Sequence, residues 1–268
     1  MPELEEPIRR YYDAGEEQGR LRADPLERDR TRRLLERFLP AAPARVADVG
    51  GGPGGHARWL AERGYDVVLL DAVPLHVDQA VAAGVTQAVA GDARDLPWED
   101  ASFDAVLLFG PLYHLTERDD RLRAMSEAAR VVRPGGVVMA AAISRFASLM
   151  DGLVHDRFSD ASFRGVVAQD IEDGQHRNAG AVPGWFTTAF FHTGGELASE
   201  VAEGGLILRG LLAIEGPGTV LSDDTALESD AAAWSALLEV IERVEAEPAL
   251  LGLSSHIMAV AHRPRRSA

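Results

Sequence analysis

Ten residues constrain this chain more than any others: Val46-Ala47-Asp48-Val49-Gly50-Gly51-Gly52-Pro53-Gly54-Gly55. A short apolar run carrying an acid breaks at once into five glycines and a proline. Apolar runs of this length bounded by glycine read as buried parallel strands, and the glycines then read as a tight turn that opens a helix. Glycine at 50, 52 and 54 permits positive φ and lets a ligand lie directly on the main chain. The rhythm repeats downstream. Asp66 to Asp71 is a second buried strand ending in an acid, Gln87 to Ala90 runs into Gly91-Asp92, and Phe103 to Gly110 and Val137 to Ile143 are a fourth and a fifth. Helices are predicted between them at roughly 55–63, 74–83 and 116–132. Such alternation implies right-handed crossovers and a doubly wound sheet, in which ligands bind beyond the carboxyl ends of the strands.

The loop satisfies G-x-G-x-x-G through Gly50, Gly52 and Gly55, the pattern of a dinucleotide site. Asp48 argues against that ligand. A carboxylate at the strand end repels a pyrophosphate and suits a ligand carrying an ammonium group. S-adenosylmethionine (SAM) has an amino-acid ammonium and a sulfonium and no phosphate, so these residues favour SAM. Asp71 lies 17 residues after Gly54, where an acid in such sheets accepts from ribose hydroxyls. Singly, Asp48, Asp71 and Asp92 each read most simply as a solvated strand end. Three in series at one sheet edge weaken that reading.

With 268 residues, 46% of them apolar, the chain can bury a full core. It has no cysteine, hence no disulfide, thiolate zinc site or cysteine nucleophile. The net charge of −15 opposes a nucleic-acid or anionic-membrane partner, because gripping phosphates needs a basic face. No apolar run is long enough to cross a bilayer and the first residues are acidic, so a cytoplasmic location is expected.

Residues 8–21 read as a short polar helix, and Tyr11 and Tyr12 as either surface packing or a flap over the ligand. Asp24-Pro25-Leu26-Glu27 is a helix start with the form of a capping box, and Leu34, Leu35 and Phe38 continue an apolar face. Residues 144–193 break the rhythm, mixing aromatics with Arg145, Arg157 and three histidines, and no long periodic run survives. This is the expected signature of an inserted lid. The alternation resumes with a helix near 194–203, a strand at 206–214, a helix from Thr225 to Pro248 and a last strand at 255–261. The expected division is a helical flap (1–43), a SAM-binding core (44–143), a substrate lid (144–193) and a C-terminal part of the core sheet (194–268).

Together these residues resemble a class I SAM-dependent methyltransferase of the small-molecule type. The match is strong over roughly 44–143 and rests on Asp48, Gly50, Gly52, Gly54, Asp71, Gly91-Asp92, Phe103-Asp104 and the Arg-Pro-Gly-Gly turn before strand five. The resemblance implies a Rossmann-like α/β fold with seven strands, the last antiparallel and inserted beside the fifth. It implies that Asp71 holds the ribose hydroxyls, that Asp92 and the Ala93 amide face the adenine, that Gly50 and the neighbourhood of Asp48 meet the methionine end, and that Gly52, Gly54, Ala72 and Phe109 also bind the cofactor. Tyr11 and Arg20 are similar to the N-terminal flap of such enzymes.

That family's chemistry is direct displacement at the sulfonium methyl, so the protein mainly aligns the reactants. Where the acceptor must lose a proton, His114 beside Tyr113 is the candidate base, with His176 and His192 as alternatives, although Gly110 to Leu115 also reads as pocket shape alone. Tyr12, His114, Arg145, Phe146, Trp185, Phe186 and Phe190 are the expected acceptor contacts, with Arg145 or Arg157 meeting an acidic group. Gly110-Pro111-Leu112-Tyr113 stands where amino-methylating enzymes of nucleic acid carry an Asn/Asp-Pro-Pro-Tyr/Phe motif, and it lacks the side-chain carbonyl. The expected acceptor is therefore a small organic molecule, as in secondary metabolism, methylated at O, N or C. No metal site, no membrane partner and a monomer or homodimer are expected. Two enzyme readings stay open beside this one: SAM aiding another reaction such as a cyclisation, and an NAD-dependent oxidoreductase. A binding protein without catalysis is the third alternative.

Overall fold

The structure, a computed structural model, describes residues 5–13, 24–221 and 224–265, without the side chains of 224 and 225. Arg20, the second half of the helix expected at 8–21 and the Thr225 cap fall outside the described residues.

Helices α1 (Glu6–Asp13) and α2 (Pro25–Phe38) precede the alternating core: β1 (Arg45–Val49), α3 (Gly55–Ala61), β2 (Asp66–Asp71), α4 (Pro74–Ala82), β3 (Ala88–Ala90), β4 (Phe103–Phe109), α5 (Pro111–His114), α6 (Arg118–Val131) and β5 (Val132–Ile143). An insertion follows: α7 (Ala147–Val154), α8 (Ala161–Asp173) and an antiparallel pair, β6 (Gln175–His176) and β7 (Ala189–Phe190). The chain then returns to the core with α9 (Gly194–Glu203), β8 (Ile207–Ala213), α10 (Asp224–Glu228), α11 (Ala231–Val244) and β9 (His256–His262).

Seven strands form one sheet in the order β3-β2-β1-β4-β5-β9-β8. The first five run parallel, and β9 inserts antiparallel between β5 and β8, pairing Ile143 with His256 at one end and Val137 with His262 at the other. The two-residue period of the strands sorts their side chains. Val46, Leu69, Ala105 and Leu107 face Leu34 and Leu35 of α2 and Leu60 of α3. Ala47, Val68, Leu70, Val106 and Leu108 face Met125 and Ala128 of α6 and Leu197 of α9. Each large side chain so buried contributes roughly 1.5–3 kcal/mol, which is why the strands are apolar on both faces.

Three local expectations change. Asp24 caps α2 by accepting from the Glu27 amide at 2.9 Å, but the Glu27 side chain turns to a cavity wall. The helix read from Thr225 onward is two, because Asp230 accepts from the amides of Ala232 and Ala233 and starts α11 afresh. The insertion, read as aperiodic, holds the 13-residue α8. Its buried face is Phe163, Val167 and Asp170, so a polar residue interrupts the apolar period. The end signals were present: Asp160 accepts from the amides of Ser162 and Phe163, and Gly174 closes the helix at φ +76°. No helix among the described residues is long and apolar enough to cross a membrane.

Candidate active site

A cavity of about 280 Å³ opens at the carboxyl ends of β1, β2 and β4. The glycine turn is its floor. Gly50, Gly52 and Gly54 all have positive φ, and the Gly50 amide donates to the Leu70 carbonyl at 2.7 Å, tying the turn to β2. A Cβ on Gly50 would stand 2.5 Å from Cδ of Pro111, so this position takes glycine both for its φ of +73° and for the close approach of the loop after β4.

Asp48 is wholly buried beneath the turn, and neither carboxylate oxygen has a hydrogen-bond partner. Burial, reinforced by Asp71, pushes its carboxyl up to about 7. Asp71, at the end of β2, is tightly held: Oδ2 accepts from the Gly52 amide at 2.8 Å, and Oδ1 accepts from the Val73 amide at 2.9 Å and from Nδ1 of His76 at 3.1 Å. Asp92 is gripped by Arg94, whose Nε and Nη2 donate to it at 3.0 and 2.8 Å while Nη1 reaches Asp120. Burial works against ionising Asp92, but the bonds from the Arg94 side chain and amide outweigh it and hold the carboxyl below its usual range. Ala72, Ala93 and Phe109 also line the cavity.

The opposite wall comes from the loop after β4 and from α1. Tyr113 and His114 of α5 and Tyr12 of α1 line the cavity, and the Tyr12 hydroxyl lies 2.5 Å from Nε2 of His114. Burial pushes the His114 imidazole down to about 4 against an opposing contact from the Thr188 backbone, so the ring is neutral at pH 7. Phe186 stands behind this pair, 5.7 Å from His114 and 5.6 Å from Tyr11 between ring centres. Tyr11 itself packs on Tyr12 and Phe186 and does not line the cavity.

The structure does not bring the remaining expected contacts to the cavity. Arg145 is buried with Nη2 on both Glu196 oxygens at 2.6 Å and Nε on the Phe191 carbonyl, so its charge is already matched and no acidic acceptor group is needed there. Arg157 pairs with Asp151 at 2.9 Å. Phe190 lies beneath the guanidinium of Arg121, Trp185 packs edge-on against Phe163, and Phe146 lines a separate groove with Leu251 and Gly252. His176 is bound to Asp170 at 2.9 Å and His192 to Glu200 at 3.1 Å; neither lines the cavity, which removes both as alternative bases.

Sequence reasoning missed His76, a buried neighbour of Asp71 in the cavity wall. The available signal was its place five residues after Asp71 on the first turn of the next helix. It also missed a group of Glu27, Glu215 and His256, whose polar atoms gather within 4.8 Å. Glu215 accepts from His256 Nδ1 at 2.6 Å and from Ser254 Oγ at 2.7 Å, which ties the end of β8 to the start of β9.

These residues fit SAM. A buried carboxylate without a partner is costly unless a cation meets it, and the methionine ammonium is such a cation. The glycine turn leaves room for main-chain contact, and two further acids, Asp71 and Asp92, line the same cavity. Residues 47–140 match the family described as a methyltransferase domain. The core is a class I SAM-dependent methyltransferase domain. SAM is therefore its cofactor, and Asp48, Gly50, Gly52, Asp71, Ala72, Asp92 and Ala93 all line the cavity. The chain is 44% identical over 103 residues to an uncharacterized methyltransferase of Mycobacterium bovis, covering 38% of this chain and 41% of that one. It is 37% identical over 118 residues to a demethylmenaquinone methyltransferase of Renibacterium salmoninarum, covering 43% and 48%. The chain thus spans less than half the length of these relatives. Among solved structures, an S-adenosylmethionine-dependent methyltransferase from Mesorhizobium loti superposes with a TM-score of 0.60 at 17% identity, covering 89% of this chain and 100% of that one. The match at that identity concerns the fold.

Proposed function

We propose that this chain transfers a methyl group to an O, N or C atom of a small organic acceptor, and that His114, with Tyr12, receives the proton the acceptor loses. The observation that carries this reading is a neutral histidine joined to a tyrosine hydroxyl on the cavity wall, directly after β4. When bound, SAM supplies an electrophilic methyl group on a sulfonium. The chain's own residues align and exclude water: Gly50 and Pro111 shape the floor, while Tyr12 of α1 lines the opposite wall and Phe186 of the insertion packs behind His114. Because His114 is neutral across the physiological range, it can accept a proton without first losing one, and the Tyr12 hydroxyl can hand its proton to Nε2 as it takes the acceptor's. Tyr113 flanks the same position. The net charge of −15 supports a small acceptor over a nucleic acid, and the relative named demethylmenaquinone methyltransferase points the same way.

The test is incubation with methyl-labelled SAM and fractionated extract, reading small molecules, RNA and protein separately. Label is expected among small molecules. His114→Asn should lower turnover by about 10²-fold, the lower bound for a general base, and leave cofactor affinity nearly unchanged. With His114 at about 4, turnover at saturating SAM should persist to pH 5 and fall only as the ring protonates below that. Label confined to RNA or protein would overturn the small-acceptor reading, and altered small molecules without label would identify a SAM-assisted reaction instead.

A further inference from the structure

The sugar-binding acid of this chain does not have enough free acceptor capacity for its task. An ionised carboxylate offers about four lone-pair sites. On Asp71 three are filled: the Gly52 amide on Oδ2, and the Val73 amide and His76 Nδ1 on Oδ1. One acceptor site remains, whereas a ribose diol presents two hydroxyl protons. By this count Asp71 has room to accept from one ribose hydroxyl, and the other needs a second acceptor.

The second acceptor is beside it. His76 is 3% exposed and its ring forms part of the cavity wall. A carboxylate can only accept, so the proton between the pair sits on Nδ1, and a neutral ring then carries its lone pair on Nε2. That Nε2 is buried and has no hydrogen-bond partner. The ring cannot turn to find one elsewhere. Asp71 holds one edge, and the Tyr12 ring packs edge-to-face against it with centroids 4.9 Å apart. Tyr12 in turn is fixed by Ile8 and Val73 and by its hydroxyl contact to His114. A buried polar atom left without a partner costs roughly 1–3 kcal/mol, so a site of this kind is explained by a ligand group that completes it.

We propose that His76 binds the cofactor's ribose directly: one hydroxyl donates to Asp71 Oδ2 and the other to His76 Nε2, so that an Asp–His pair rather than the carboxylate alone holds the sugar. This rests on the SAM reading above and adds a binding residue that the glycine-and-acid pattern does not contain. It also connects the sugar subsite to the acceptor wall, because the ring that contacts ribose packs on the tyrosine that contacts His114.

Calorimetry with S-adenosylhomocysteine and its 2′-deoxy and 3′-deoxy analogues tests the proposal without relying on turnover. His76→Phe should weaken S-adenosylhomocysteine about tenfold, the loss expected for one hydrogen bond with a partner left unsatisfied. One deoxy analogue should bind wild type and variant alike, since its missing hydroxyl is the one His76 accepts, and the other should keep the tenfold difference. His76→Gln, which returns an acceptor oxygen near the Nε2 position, should recover part of the loss. Equal weakening of all three ligands, or no weakening, would overturn the proposal and leave His76 as a prop for Asp71. Should neither variant fold, the imidazole ¹⁵N spectrum of the wild type reads the same contact: Nε2 of His76 must shift when S-adenosylhomocysteine is added, and an unmoved signal refutes the assignment. Failure of the wild type to bind S-adenosylhomocysteine at all is a different result, and it would strike the cofactor reading rather than His76.

Discussion

Asp48 makes cofactor binding a proton-linked event whose size follows from its burial. In the free protein its carboxyl is raised from an ordinary 3.8 to about 7, first by burial and then by Asp71. A methionine ammonium against it favours the ionised form and draws that value back down. Binding below pH 7 must then expel a proton. At pH 6 only about a tenth of the free protein has Asp48 ionised, so affinity should be about tenfold weaker than its plateau. It should rise about tenfold per pH unit up to 7 and flatten above. Calorimetry with S-adenosylhomocysteine in two buffers of different ionisation enthalpy should read nearly one proton released at pH 6 and almost none at pH 8. The same carboxyl destabilises the free protein. Its folded value lies above its unfolded one, so the stability it contributes is full below about pH 4 and is lost as pH rises through 7. The gap corresponds to at most about 4 kcal/mol. Asp48→Asn should therefore raise the apo melting temperature at pH 8 while abolishing the pH dependence and most of the affinity, a trade of stability for function. Affinity that is flat between pH 6 and 8, or an Asp48→Asn protein that melts lower at pH 8, would refute the reasoning.

Two further outcomes are expected. Gly50→Ala puts a methyl 2.5 Å from Pro111 Cδ on a residue at φ +73°, so it should lower thermal stability by about 2 kcal/mol or more and remove measurable S-adenosylhomocysteine binding, read by melting and calorimetry. Helix α1 is fastened by Thr187 Oγ1 to the Pro7 carbonyl at 3.1 Å, Thr116 Oγ1 to Glu5 at 3.0 Å and the Tyr12–His114 contact. If α1 and the β6–β7 region act as a lid, hydrogen exchange at residues 8–13 and 186–190 should slow when cofactor and acceptor bind together; full protection in the free protein would mark a fixed wall.

Features that depend on near neighbours in the chain were legible before any fold was known. Apolar runs of strand length, such as Val67 to Leu70 and Ala105 to Leu108, had to be buried on both faces, and glycines at positions of positive φ had to make the turn after β1. The acids Asp48, Asp71 and Asp92 close or follow those runs, so parallel pairing carries all three to one edge whatever the rest of the chain does. The antiparallel last strand was legible only through the resemblance, because no local pattern states a strand's direction. Other assignments depended on which distant side chain arrives first. Arg145 looked available to an acceptor, but Glu196 satisfies it from 51 residues away. Phe190 and Trp185 looked like pocket aromatics and became cover for Arg121 and Phe163. Conversely, His114 gained its partner from Tyr12, 102 residues earlier, and His76 became conspicuous only once Asp71 occupied one ring nitrogen and the fold left the other without a partner. Periodicity and turn chemistry act over a few residues and survive in the sequence; the matching of a charge or a lone pair is a property of enclosed space, fixed only when distant parts of the chain meet.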